Sequence, residues 1–145
     1  MSGTAGPSLA ALQATLAAEQ AACYGYGVVG AHLAGHQRQA ARTGWVTHEV
    51  ARDQLTAMIS RLGAAPVPAA VAYALPGPVQ SAKQARALAA TLEERVTQAY
   101  IALVAVTDVS IREFGARQAR SAALRAAAWR GSTEAFPGLP ASSLG

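Results

Sequence analysis

The sequence predicts an all-α, four-helix fold, on three observations. Alanine, the strongest helix former, supplies about a quarter of the 145 residues. Aromatic residues are few, at 6%, and β-branched residues are scattered rather than gathered into strand-like runs. Apolar residues recur at steps of three and four along four long stretches, the spacing of helices packed lengthwise. A chain of this length, 52% hydrophobic and 14% charged, fits one domain with a real core.

The first helix is expected from about Ser8 to Ala34, with Ser8 as N-cap and Gly35 just past the end. Its seam is Leu9, Leu12, Leu16, Glu19, Cys23, Tyr26, Gly30 and Leu33. The second helix runs from about Gln37 to Leu62 and stops at Gly63. Its seam is Trp45, His48, Arg52, Leu55, Ile59 and Leu62. Residues 64–80 are rich in proline yet apolar, and are expected to cross the bundle as an ordered connection. The third helix begins at "SAKQ", where Ser81 and Gln84 have capping-box spacing, and continues to about Thr107. One seam follows Ala89, Glu93, Val96, Tyr100, Leu103 and Thr107; another, through Leu88 and Leu92, is equally regular. Ser110 to Glu113 forms a second capping box, and the fourth helix continues to about Arg130. The core spans about 8–130, and Phe136 and Leu139 of the tail 131–145 are expected to pack back on it. Two short turns with one long crossover between the middle helices is the connectivity of ferritin-like bundles.

Composition excludes several function classes. The charge of +4 comes from 11 Arg, 1 Lys and 8 acids, a mild basicity that does not by itself point to nucleic acid. Arg112, Arg117, Arg120, Arg125 and Arg130 line the fourth helix, but no aromatics interleave with them for stacking and no binding motif is present. A nucleic-acid partner is therefore not expected. Cys23, the one cysteine, permits no intrachain disulfide and fits a reducing cytoplasm. The N-terminus lacks a basic signal-peptide region. The uncharged run from Leu62 to Ala82 carries Pro66, Pro68, Pro76 and Pro78, so no membrane span is expected.

Glu19 is the only charged side chain before Arg38, and it lies among leucines. A buried carboxylate needs a partner, because stranding it costs several kcal/mol. If the first turn centres on residues 35–37, level pairs on the first two helices sum to about 72. That brings His48 and Arg52 within reach of Glu19. A turn near 108–109 gives sums of about 217 and sets Glu93 beside Arg125. The expected buried polar cluster is Glu19, His48, Arg52, Glu93 and Arg125. Cys23, Tyr26, Trp45 and Tyr100 are candidates to line a pocket at the same level.

Four segments, "AAEQAACYGYGVVGAHL", "AYALPGPV", "LEERVTQAYIALVA" and "AAAWRGSTEAFPGLP", resemble an actinobacterial, alanine-rich ferritin-like family of unknown function. The resemblance covers most of the chain and implies a ferritin-like four-helix bundle with no established reaction. Di-iron members of that fold carry Glu on two helices and Glu-x-x-His on the other two. Glu19 matches the first-helix Glu, and Glu93 or Glu94 the third-helix one. Glu49 matches the second, but Arg52 stands where its histidine should. Ser121, Leu124 and Arg125 occupy the fourth-helix level. Arginine keeps its proton and repels a metal.

The expected function is thus that of a cytoplasmic bundle without a complete di-iron site and without a cofactor, leaning away from catalysis and acting as a homodimer or through a protein partner. One alternative is a degenerate metalloprotein or oxidoreductase with iron or manganese on Glu19, His48, Glu49 and Glu93. A second is a bundle that binds a small ligand in its interior.

Overall fold

The computed structural model describes residues 5–131. Four helices account for most of them: α1 (Ala5–Ala31), α2 (Gly35–Arg61), α3 (Ala82–Val104) and α4 (Val109–Gly131). No strand occurs among the described residues, and no described helix is long and apolar enough to cross a membrane. The expectation for Phe136 and Leu139 lies outside the described residues.

Local chemistry sets the helix ends. α1 starts three residues before the expected cap, so Ser8 is a buried first-turn residue rather than an N-cap. Pro7 is tolerated there because first-turn N–H groups have no intrahelical acceptor. Gly35 makes the turn into α2 at φ +57°, and Gly63 ends α2 at φ +78°, conformations that cost glycine little. At α3, Ser81 Oγ accepts from Gln84 N at 3.1 Å and Gln84 Oε1 accepts from Gln80 N at 2.8 Å. α4 is capped by Asp108 instead of Ser110. Its Oδ1 accepts from Ile111 N at 3.0 Å and from Ser110 Oγ at 2.6 Å.

α1 and α2 form one antiparallel hairpin, and α3 and α4 another. α1 also packs antiparallel on α3: Thr15 Oγ1 reaches Ala99 O, while Tyr26, further along α1, meets Glu93, earlier in α3. The segment between α2 and α3 is tied to α1. Gln13 Nε2 donates to Ala65 O and Gln13 Oε1 accepts from Val67 N, both at 2.7 Å. Gln20 Nε2 donates to Val67 O at 2.8 Å, and Tyr24 stacks obliquely on Tyr73. α1 is thus covered by α2, α3 and this segment, which explains why almost no charge occurs along it. α2 and α4 scarcely touch one another.

The core falls into two apolar clusters. One is built on Leu12, Leu16, Leu55, Ile59, Leu103 and Phe114. The other is built on Tyr26, Val29, Leu33, Ala41, Leu88 and Leu92. On α3 both expected seams are buried as far as Leu103, since the helix faces α1 on one side and α4 on another; the helix ends at Val104, short of the expected Thr107, which is exposed.

The buried stripe of α2 is Ala41, Gly44, His48, Ala51, Leu55 and Ile59. It departs from the expected seam at three places: Gly44 lies inward in place of Trp45, Ala51 in place of Arg52, and Leu62, the cap residue past the helix end at Arg61, is exposed. Gly44 is needed because a Cβ there would stand 2.5 Å from Tyr26 Cε1. Gly115 makes the matching close approach in the second hairpin, where a Cβ would meet Leu103 Cβ at 2.7 Å and the Tyr100 carbonyl oxygen at 3.0 Å. Gly115→Ala is expected to destabilise by roughly 1–3 kcal/mol through overpacking. Gly27→Ala, on an open helix face, should stabilise by about 0.5–1 kcal/mol. Urea melts of the two variants test the contrast in sign.

Candidate functional site

Between the two apolar clusters lies a polar layer to which every helix contributes. α1 supplies Glu19 and Tyr26, α2 His48, α3 Glu93 and Tyr100, and α4 Arg125 and Trp129. His48 is fully buried between the two glutamates. Its Nδ1 is 2.5 Å from Glu19 Oε2 and its Nε2 is 2.8 Å from Glu93 Oε1. Carboxylates only accept, so both ring nitrogens donate and the ring is an imidazolium. Burial pulls the His48 pKa down, but the hydrogen bonds and charges of Glu19 and Glu93 outweigh it and raise the pKa to about 9.

Glu93 Oε1 gathers three donors: His48, Tyr26 OH at 2.6 Å and Arg125 Nε at 2.9 Å. Burial alone would raise its pKa. Contact with His48, and then with Arg125, holds the carboxyl below its ordinary value instead. Glu93 Oε2 is buried and has no donor among the described residues. Glu19 Oε1 accepts from Tyr100 OH at 2.5 Å, and Trp129 Nε1 donates to Tyr26 OH at 2.9 Å. Both tyrosines are held well above their ordinary pKa by burial and then by the adjoining glutamate, so they remain donors.

Of the residues expected in the buried cluster, Glu19, His48, Glu93 and Arg125 lie together and Arg52 does not. Arg52 is 34% exposed, donates through Nε to Asp53 Oδ1 at 3.0 Å, and stands 3.8 Å from Glu49 Oε1. The smaller Ala51 takes the inward position, and the guanidinium stays in water, where its charge costs least. Glu49 is only partly buried and belongs to that surface pair.

Tyr26 and Tyr100 are packed donors to the glutamates. Trp45 is exposed and, with Tyr26, Arg38 and Arg42, borders an open cleft on the α1–α2 side. Cys23 is partly buried, and burial pushes its thiol up to about 11. It remains a thiol, and no ring nitrogen of His48 is left to activate it. Trp129 was missed. The available signal was its spacing, four residues after Arg125 on the same helix face.

The layer sets two carboxylates against an imidazolium and a guanidinium. No nucleophile stands beside a base, because both histidine nitrogens are committed. Among the described residues no group of three or more His, Cys, Asp or Glu side chains is arranged to hold a metal ion. The donor set does not fit a di-metal centre. His48 presents protons rather than lone pairs, and Arg125 places a fixed cation on Glu93.

A second feature opens beside the layer. A cleft of about 400 Å³ lies between α2 and α4, bordered by His36, Gln37, Ala40, Thr43, Ala128 and Trp129, with Arg86 and Arg125 contributing cationic groups.

Comparison with known proteins places the chain beside others without an assigned activity. The crystal structure of a conserved hypothetical protein, rv2844, from Mycobacterium tuberculosis is similar to it. The two share 31% identity over 87% of this chain and 96% of that one, with a TM-score of 0.84. No curated protein matches the chain. Residues 11–141 match the family model described as Domain of unknown function (DUF4439), and the chain belongs to that family.

Proposed function

We propose that this protein is a ferritin-like four-helix bundle that acts by binding rather than by catalysis, with an internal ion-pair layer at the level where di-iron members of that fold hold metal. The bond of each His48 nitrogen to a different glutamate carries this reading. A histidine so held is neither a metal ligand nor a general base. The ferritin-like assignment is supported by two short-turn hairpins with a long α2–α3 connection along α1. The mycobacterial neighbour supports an actinobacterial origin. The protein acts in the cytoplasm, without a cofactor, as a homodimer or with a protein partner. Trp45, Val46 and Val50, exposed on α2, support that mode of action.

Metal analysis of protein purified without chelator tests the proposal, with Glu19→Ala as control. The expected result is no stoichiometric iron or manganese in either protein. Bound metal that the variant loses would establish the metalloprotein reading instead.

A further inference from the structure

We infer that the cleft between α2 and α4 is a binding site for a small molecule that joins one carboxylate or phosphate group to an apolar body. This deepens the reading of the bundle as a binding protein and rests on it. The cleft's volume of about 400 Å³ lies within the range of small-molecule sites, and a gap between helices of a bundle is a usual place for one.

Charge selects the anionic group. Arg86 and Arg125 both border the cleft, and among the described residues no acidic side chain does. Among the described residues Arg86 has no carboxylate partner, and its hydrogen bond there is a long one, Nη1 to Gln37 Oε1 at 3.3 Å. Arg125 is anchored through Nε to the buried Glu93, and its two terminal nitrogens have no partner among the described residues. The anchor fixes the guanidinium plane before any ligand arrives. A planar oxyanion can then be taken in two parallel hydrogen bonds with little loss of side-chain freedom. His36 and Gln37 add the first turn of α2, whose cap residue Ala34 makes no side-chain cap bond, so the helix dipole favours the same charge. Ala40, Ala128 and the Trp129 ring supply apolar walls for the rest of the molecule.

Isothermal titration of the full chain with phenyl phosphate and with benzoate tests the site, with benzyl alcohol and benzamide as neutral counterparts. Saturable one-to-one binding of at least one anion is expected, with Kd at or below about 1 mM, and at least tenfold weaker binding of the neutral compounds. Arg86→Ala should weaken anion binding at least tenfold while leaving the melting temperature unchanged, since this arginine supports no buried group. Ala40→Trp, from an exposed wall of the cleft, should abolish binding by filling it. Arg42→Ala, on the other side of α2, should bind as the parent does.

No saturable binding of either anion up to about 10 mM, or binding that Arg86→Ala and Ala40→Trp leave intact, would overturn the inference. The metal content of the same preparation separates this failure from failure of the binding reading. Stoichiometric metal overturns that reading whatever the titration gives, whereas a metal-free protein that binds neither anion overturns the cleft site alone.

Discussion

Glu93→Ala is expected to lower the unfolding free energy by about 3–5 kcal/mol, the cost of breaking a buried ion pair from one side. The glutamate is fully buried, and one of its oxygens accepts from His48, Tyr26 and Arg125 together. Its removal leaves an imidazolium and a tyrosine hydroxyl in the core without their acceptor, and frees Arg125. The loss should fall toward the lower end of that range, because Oε2, which has no donor among the described residues, is removed as well. Arg125→Ala should cost less. Arg125 is 26% exposed, and Glu93 keeps two donors without it. Urea denaturation of the two variants gives both values. A Glu93→Ala loss under about 1 kcal/mol would mean that the layer does not hold the fold together, since that is the scale of a surface pair.

The second large effect is a loss of stability on the alkaline side. The His48 pKa is about 9 in the folded protein against an ordinary 6.5. The folded state therefore holds this proton more tightly than the unfolded chain does. The resulting stabilisation is complete below about pH 6.5, declines as pH rises, and is gone above about 9. Its size is of order 3 kcal/mol. Glu93 has the opposite sign. Its folded pKa lies below the ordinary 4.5, so its contribution is present above that value and is lost as pH falls through the folded one. Stability should therefore be highest between about 4.5 and 6.5. Melting temperatures from pH 5.5 to 9.5 measure the alkaline decline, and His48→Leu should flatten it. An equally steep decline in His48→Leu would assign it to another group.

The helices were legible because each carries its own periodic pattern, and the turns at Gly35 and near Asp108 set the levels at which side chains meet. The Glu19–His48 and Glu93–Arg125 neighbours follow from those two turn positions alone. Arg52 and Trp45 misled because a seam drawn through the larger residues neglects what the facing helix supplies. The volume that Gly44 leaves empty is filled by Tyr26 of α1, a fact about two helices that one helix's spacing does not contain. Ser110 misled because two good caps stand two residues apart, and only the path of the chain decides which faces the free N–H groups. The α2–α4 cleft was not legible at all. It exists because two helices distant in sequence fail to pack closely, and no local pattern records a gap.

The polar layer also acts as an index mark. Helices lined with alanine present shallow surfaces, and such surfaces tolerate sliding past one another. A slide of one turn, about 5.4 Å, would leave most apolar contacts replaceable. It would also carry His48 or Glu93 against the leucines on either side and separate each charge from its partner. One layer spanning all four helices therefore fixes their mutual register, much as a single buried polar position does in a coiled coil. An otherwise permissive bundle thereby gains a single way to close.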